Sequence, residues 1–132
     1  MKRIYFDNNA TTPLDPEVRQ AMAPYLNDRF GNPSSGHRFG EEALAALAVG
    51  RQQVAGLLNC SPERILFTSG GTESNNTAIW SAVFAVPAKK HIVSSVVEHP
   101  SVLKPLEFLQ QRFGYTVELL PVDRDGGLDL AA

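Results

Sequence analysis

Residues 65–76 read ILFTSGGTESNN, and this stretch decides how the second half of the chain is interpreted. A short apolar run ends at Gly70 and Gly71, which have no side chain and therefore allow close backbone approach. Thr72 is the predicted N-cap of a following helix, and Glu73 suits the positive end of its dipole. The segment is either a plain capped turn or an anion site made by first-turn amides. It matches neither the Walker pattern nor GxGxxG, so no nucleotide is implied.

The apolar runs around this stretch predict an α/β fold. The strand-like runs and the helical patterns between them are, in chain order, residues 65–69, 72–84, 91–96, 100–113 and 116–122. Strands that alternate with helices of this length indicate βαβ units and a parallel sheet. We therefore predict a βαβαβ arrangement, after which Asp129 would cap a further helix.

The first 60 residues are predicted to be helical and polar. Asp15 is a suitable N-cap for a helix that ends by Gly31. Apolar residues three or four positions apart, from Arg38 to Leu58, predict a second and longer amphipathic helix. We therefore divide the chain into an N-terminal segment, residues 1–60, and the start of an α/β domain, residues 61–132.

A second strand-to-helix junction, VEHPS at residues 97–101, adds an imidazole to the same predicted region. Pro100 suits the first position of a helix, so His99 falls at the turn. In a parallel α/β sheet the turns at the carboxyl ends of the strands line one crevice. An anion site at 69–72 and the His99 ring would then contact one ligand, which suggests a phosphorylated aromatic compound. The alternative is that His99 occupies an N-cap position and contacts no ligand.

Composition argues against several other functions. The 132 residues carry a formal net charge of −2 and are 20% charged and 43% hydrophobic, which is ordinary for a globular protein and unlike a nucleic-acid binder. No apolar run reaches the roughly 20 residues that span a bilayer, and the N-terminus does not resemble a signal peptide, so we expect a cytoplasmic protein. His37, His91 and Cys60 do not have metal-ligand spacing, and no metal site is predicted.

Four segments together resemble the N-terminal part of cysteine desulfurases. They are FDNNATTPLDPEV, GNPSSGHRFG, ILFTSGGTESNN and HIVSSVVEHPSV, in this order and at spacings similar to those of the family. These enzymes belong to class V of the pyridoxal-phosphate-dependent aminotransferases and have the aspartate-aminotransferase-like fold. The resemblance covers about residues 4–130. It implies that residues 61–132 are the start of the large domain that binds pyridoxal phosphate.

The resemblance also implies roles for individual residues. Gly71 and Thr72 correspond to residues that hold the phosphate of pyridoxal 5'-phosphate. His99 corresponds to the histidine that stacks on the cofactor's pyridine ring and assists proton transfers, so it is a candidate for both cofactor binding and catalysis. The DNNATT and GNPSS motifs correspond to loops near the active-site mouth and the dimer interface. The candidates for substrate or interface contacts in these loops are Asn8, Thr11, Asn32 and Ser34.

The activity implied by the resemblance is sulfur transfer. A cysteine thiolate of the enzyme takes sulfur from L-cysteine, which leaves a persulfide and releases L-alanine, while the cofactor ring withdraws electrons. The sulfur is used in iron–sulfur cluster or thio-cofactor assembly. The implied partners are L-cysteine as substrate, a sulfur acceptor or iron–sulfur scaffold protein, and a second copy of the enzyme in a homodimer. Nucleic acid and membrane are not among them.

The sequence departs from the family at the reacting end of the cofactor site. The family's lysine, which forms a Schiff base with the cofactor, lies in a Ser-x-His-Lys context that no part of this sequence matches. Cys60 is not at the place of the nucleophilic cysteine. We therefore expect a truncated N-terminal fragment that is inactive by itself. The alternatives are a fragment of another class V enzyme such as a selenocysteine lyase, an inactive remnant, and a partner-binding or phosphate-binding module.

Overall fold

The computed structural model describes residues 4–128, which form two compact units. One unit extends to Leu66 and the other begins at Phe67, and the predicted segment boundary after residue 60 stays a prediction. The elements are, in chain order, α1 (Pro16–Leu26), α2 (Arg38–Leu57), a 3₁₀ helix (Pro62–Arg64), α3 (Gly71–Ala85), β1 (His91–Ser95), α4 (Pro100–Phe113) and β2 (Thr116–Leu120). Over the described range, no helix is long and apolar enough to cross a membrane.

The first helix begins where the sequence predicts. The Asp15 carboxylate accepts hydrogen bonds from amides of the first turn, the shorter one from Glu17 at 2.7 Å. It therefore satisfies donors that have no acceptor within the helix. The helix ends at Leu26, earlier than the predicted end at Gly31, because the chain then turns back and its next amides bond to the Pro24 carbonyl oxygen.

A close contact packs the following loop against the start of α2. A Cβ atom on Gly40 would collide with the carbonyl oxygen of Ser35 and would lie 2.8 Å from that of Asn32, so glycine is required there. The rings of Phe30 and Phe39, on either side of this loop, stack with their centroids 5.4 Å apart. The long predicted helix is confirmed as α2, and its first turn is held against the loop that precedes it.

The second unit is built on a parallel pair of strands. β1 and β2 pair with His91 opposite Thr116 and Ser95 opposite Leu120. A parallel pair requires a crossover connection, and α4 supplies it, so β1, α4 and β2 form one βαβ unit. The predicted crossover helix and the two strands around it are thereby confirmed, although each strand is slightly shorter than predicted.

A left-handed glycine ends α4 and lets the chain enter β2. Gly114 has φ +67°, a conformation that glycine adopts at little cost, and its amide donates to the Leu109 carbonyl oxygen. The next residue, Tyr115, is buried, and the Lys90 ammonium lies 4.2 Å from the centre of its ring. The Thr116 amide then donates to the Lys90 carbonyl oxygen at 2.7 Å, which fixes the register at the start of the strand pair.

The core of this unit lies between the strands and the helices. Leu106 and Leu109 of α4 and the adjoining Tyr115 are at most 4% exposed. Half-buried apolar side chains from both strands and both helices pack around these three, namely Ile79, Trp80, Val83, Ile92, Val102 and Val117. This shared core fixes α3 beside α4.

One predicted strand does not form. Residues 65–69 have no strand conformation, and within residues 4–128 the sheet consists of β1 and β2. A short apolar run becomes a strand when another strand supplies its backbone hydrogen-bonding partners, and the described chain places no strand beside this run. The fold is of the predicted α/β class, with βαβ in place of βαβαβ. The helix predicted from Asp129 lies outside the described residues.

Leu109 is the most completely buried residue of this core, since it is 0% exposed. We expect Leu109→Ala to lower the free energy of unfolding by about 2–5 kcal/mol, because it removes buried methyl groups and leaves a cavity. Urea unfolding followed by the fluorescence of Trp80 measures this loss. Val97→Ala, at a side chain that is 63% exposed, is the control and should change the unfolding free energy by no more than about 0.5 kcal/mol. Equal losses in the two variants would contradict this core.

Candidate functional site

Helix α3 includes the second of the two glycines and starts slightly earlier than predicted. Gly70 is the N-cap of α3, with an extended backbone (φ 162°, ψ −179°), and its carbonyl oxygen accepts from the Ser74 amide at 3.1 Å. Thr72, the predicted N-cap, therefore lies within the first turn. The prediction is wrong about the cap because a helix can begin after a glycine that offers no side-chain acceptor.

The first turn of α3 offers backbone donors to the space in front of it. The amides of Gly71, Thr72 and Glu73 precede the first hydrogen bond within the helix, so the helix backbone has no acceptor for them. Gly71 and Thr72 are exposed. A Cβ atom added to Gly70 or to Gly71 would meet nothing within 4 Å, so there is open space at this helix end. Outward amides at the positive end of a helix dipole suit an anion.

Glu73 of α3 forms hydrogen bonds with Ser69, which precedes the two glycines. Its carboxylate oxygen Oε2 accepts hydrogen bonds from both the hydroxyl and the amide of Ser69, each at 2.6 Å. The bond from the hydroxyl is the larger cause that holds the pKa of Glu73 below its ordinary value, and the bond from the amide adds to it. The negative charge that results also complements the dipole of α3.

Hydroxyl groups brace the same turn. The Thr68 and Ser74 hydroxyl oxygens are 2.6 Å apart, and each lies 3.2 Å from the Gly70 carbonyl oxygen. Further along α3, the Asn76 side-chain amide donates to the Thr72 carbonyl oxygen at 2.9 Å. These bonds hold the backbone around the two glycines in one shape.

His99 is the N-cap of α4 and caps the helix with its ring. Nδ1 accepts from the Ser101 amide at 3.1 Å and lies 2.8 Å from the Ser101 hydroxyl oxygen. That hydroxyl oxygen is also 2.8 Å from the side-chain nitrogen of Asn75 on α3. His99 is nevertheless exposed. His99 therefore occupies the N-cap position, as in the alternative interpretation of the sequence. Its ring is exposed, so it is also accessible to a ligand.

The contact between Asn75 and Ser101 brings the two predicted junctions together. Asn75 lies in the second turn of α3 and Ser101 in the first turn of α4, so the N-terminal ends of these helices are neighbours. Neither residue is predicted as functional from the sequence. The signal that could have identified Ser101 is its spacing, because a serine two positions after an N-cap histidine can present both its amide and its hydroxyl to the ring.

The four candidates from the loop motifs lie in the first unit. Asn8 and Thr11 belong to an exposed turn, in which the Thr11 amide donates to the Asp7 carbonyl oxygen at 3.4 Å. Asn32 closes a second turn, since its side-chain oxygen accepts from the Ser34 amide at 2.9 Å. These hydrogen bonds are local to each turn, so the substrate or interface roles of the four residues stay predictions.

The other histidine candidate of the second unit has a structural partner. His91 pairs across the sheet with Glu118, Nε2 lying 3.1 Å from Oε2. The two side chains are 55% and 53% exposed, so the pair contributes little to stability. Among the residues that the structure describes, no three histidine, cysteine, aspartate or glutamate side chains are grouped so that they could hold a metal ion.

Comparisons with known proteins match nearly the whole chain. The family profile described as aminotransferase class-V covers residues 4–132. The cysteine desulfurase IscS of Dictyoglomus turgidum is 50% identical over 131 residues, which are 98% of this chain and 33% of that protein. The cysteine desulfurase NifS of Azotobacter vinelandii is 51% identical over 131 residues, 98% of this chain and 32% of that protein. The chain thus spans about a third of the length of the curated relatives it matches.

Solved structures agree on the fold. A protein described as NifS-like superposes with a TM-score of 0.91 at 37% identity, over 98% of this chain and 36% of that chain. A structure described as SspA in complex with cysteine superposes with a TM-score of 0.81 at 39% identity, over 89% of this chain and 34% of that chain. The predicted fold class, the N-terminal part of a pyridoxal-phosphate-dependent transferase, is therefore confirmed, as is the resemblance to cysteine desulfurases.

Glu73 makes the stability of its turn depend on pH. Because folding lowers the pKa of Glu73, the ionised side chain stabilises the fold above its unfolded pKa, and this stabilisation is lost as the pH falls through the lowered folded pKa. Between about pH 5 and pH 3, the unfolding free energy of the native chain should therefore fall more than that of Glu73→Gln. Urea unfolding at a series of pH values measures the difference. Parallel pH profiles for the two proteins would argue against the bond between Ser69 and Glu73.

Proposed function

The chain belongs to the aminotransferase class-V family, and we propose that it forms the phosphate-binding end of the pyridoxal 5'-phosphate site of a cysteine desulfurase. The observation that supports this most directly is the open, donor-rich N-terminus of α3. There the amides of Gly71 and Thr72 precede the first internal hydrogen bond of the helix. The contact from Asn75 to Ser101 places this helix end beside the turn that carries His99.

Backbone amides at a helix N-terminus fit a phosphate better than a neutral group. Hydrogen bonds from amides to an anion are stronger than those to a neutral oxygen, and the helix dipole favours negative charge at the same place. The glycines leave open space within 4 Å, and Thr72 adds a hydroxyl next to the same amides. We therefore assign the phosphate group to Gly71 and Thr72.

His99 is proposed to contact the ring of the cofactor. The imidazole is flat and exposed, and it lies at a strand-to-helix turn with Nδ1 engaged in capping α4. Its face can stack on an aromatic ring, and its other nitrogen, Nε2, can hold a proton beside that ring. When bound, pyridoxal phosphate supplies an electron-accepting ring for carbanion chemistry.

The activity of the complete protein is a further part of the proposal. The curated relatives are named cysteine desulfurases, and one similar structure is described as a complex with cysteine. We therefore assign L-cysteine as the substrate, L-alanine and an enzyme persulfide as the products, and a sulfur acceptor or iron–sulfur scaffold protein as the partner. We also propose a cytoplasmic homodimer. The residues assigned to its active-site mouth or dimer interface are Asn8, Thr11, Asn32 and Ser34.

Titration with anions tests the phosphate site. In ¹H–¹⁵N NMR spectra, inorganic phosphate should shift the amide resonances of Gly71 and Thr72, because these amides would donate to it. Pyridoxal phosphate should shift the same resonances together with the signals of His99. Sodium chloride at matched ionic strength is the control for general screening. Phosphate-induced shifts that leave out Gly71 and Thr72 would place the anion elsewhere.

Deleting one amide donor makes this test quantitative. Gly71→Pro removes an amide yet suits the helix, because Gly71 is the first helical position and Gly70 before it is extended. We expect the affinity for phosphate to fall about 10-fold, equivalent to about 1.4 kcal/mol, since one hydrogen bond to an anion is lost. Ser81→Ala, on a later turn of α3, is the control and should bind as the native chain does. Unchanged affinity in Gly71→Pro would contradict the assignment.

We expect the 132-residue chain by itself not to release alanine from L-cysteine. It has no Ser-x-His-Lys segment, the context of the cofactor-binding lysine in the family, and Cys60 is half-buried. Incubation with pyridoxal phosphate, L-cysteine and a thiol reductant, followed by amino-acid analysis, measures alanine. A complete cysteine desulfurase treated in parallel is the positive control. Steady release of alanine would show that residues of this chain complete the site.

A further inference from the structure

A hydrogen-bonded chain of side chains links α3 to the ring of His99. The Asn75 side-chain nitrogen is 2.8 Å from the Ser101 hydroxyl oxygen, which is itself 2.8 Å from Nδ1 of His99. The Ser101 amide donates to the same Nδ1 at 3.1 Å. Ser101 thus contacts Nδ1 through both its hydroxyl group and its amide, and Asn75 of α3 contacts that hydroxyl group.

The direction of each bond follows from the amide of Ser101. A backbone N–H can only donate, so Nδ1 of His99 must be an acceptor and carry no proton. The Ser101 hydroxyl then has to donate to Nδ1, which leaves its oxygen to accept from the Asn75 side-chain amide. In the neutral ring, the proton is therefore on Nε2.

The burial of Ser101 leaves its hydroxyl group few other orientations. Ser101 is 8% exposed and Asn75 is half-buried, whereas His99 is exposed. A buried hydroxyl group is costly to leave without hydrogen-bonding partners, so Ser101 cannot readily turn away from its two partners. Ser101 is therefore held in one orientation, and it holds the exposed ring in turn.

His37 provides a comparison within the same chain. It is the N-cap of α2, yet its side chain makes no capping hydrogen bond. Its φ is −142°, compared with −61° for His99, and the residue two positions further on is Phe39 rather than a serine. An N-cap position alone therefore does not orient a histidine ring. His99 differs from His37 in its backbone conformation and in having Ser101 and Asn75 beside its ring.

We propose that Asn75 and Ser101 are positioning residues that hold the neutral ring of His99 as the Nε2–H tautomer and fix its plane. The role of this arrangement in cofactor binding rests on the proposed function, because the cofactor would contact the fixed ring and its Nε2–H. Asn75 does not take part in a proton relay, because a side-chain amide donates hydrogen bonds without giving up its proton. It acts by orienting Ser101, which orients His99.

The tautomer of His99 can be measured in the chain without any cofactor. With ¹⁵N-labelled histidine at about pH 8.5, roughly two units above the ordinary histidine pKa, long-range ¹H–¹⁵N spectra separate protonated from unprotonated ring nitrogens. His37→Gln and His91→Gln assign the signals. We expect the ratio of Nε2–H to Nδ1–H to be about 5-fold or more higher for His99 than for His37, the effect of about one net hydrogen bond. Equal ratios at the two rings would overturn the proposal.

Two variants remove the hydroxyl donor from Nδ1 by different means. Ser101→Ala deletes the hydroxyl group. Asn75→Asp replaces the side-chain donor with an acceptor of the same shape, so the Ser101 hydroxyl turns from His99 to the carboxylate. Each variant should lower the tautomer ratio of His99 about 2- to 10-fold, as expected for the loss of one net hydrogen bond. An unchanged ratio in both variants would also overturn the proposal.

Two control variants separate the hydrogen bond from side effects. Ser101→Thr keeps a hydroxyl group at the same position and should retain the native ratio. Asn76→Asp places the same new charge on the neighbouring residue and should also retain it. If Asn76→Asp lowers the ratio as much as Asn75→Asp does, the effect is electrostatic and the positioning role is refuted. Far-UV circular dichroism and Trp80 fluorescence check that each protein folds, and Asn75→Asp carries the test if Ser101→Ala does not fold.

Addition of pyridoxal phosphate at the end of the experiment separates this inference from the proposed function. The tautomer ratios are measured before the cofactor is added, so they do not depend on its binding. Shifts at Gly71 and His99 after the addition would support the cofactor site. Their absence would count against the cofactor site while leaving the tautomer result intact.

Discussion

Parallel strands cannot be joined by a tight turn, and the second unit of this protein is organised around that constraint. The chain that leaves β1 must cross over before it can pair as β2, and α4 is the crossover. The helix therefore starts just beyond the carboxyl end of β1, and His99 occupies the turn between them. Leu106 and Leu109 hold the helix in the core, so the position of His99 depends on apolar packing further along the same helix.

Helix starts could be predicted from the sequence because their signals are local. Asp15 before Pro16 marks a helix N-terminus through contacts that reach only two or three residues. The run at 65–69 has the composition of a strand, but composition cannot supply the second strand that pairing requires. The N-cap role of Gly70 was equally hard to predict, because it depends on backbone conformation and glycine has no side chain that would indicate it.

The residue types of the candidate site could be predicted from the sequence, but the hydrogen bonds that connect its residues could not. Two glycines and a histidine at successive strand-to-helix turns suggest one sheet edge, because such turns lie together in a parallel sheet. The bond from Asn75 to Ser101 joins residues 26 positions apart, and sequence spacing does not reveal a contact of that kind. Packing creates it, since Ile79 of α3 contacts the same core as α4 and brings the helices side by side. The polar link therefore depends on the apolar core.

Glu73 places a negative charge in the same helical turn that is proposed to receive a phosphate. Two negative charges in one turn repel each other, so a bound phosphate would favour the protonated form of Glu73, and that form would in turn favour the phosphate. Thermodynamic reciprocity makes the two effects equal in size. For a phosphate bound as proposed, the carboxylate that braces the turn would therefore also limit how tightly the anion is retained, and loss of the Glu73 proton would promote its release.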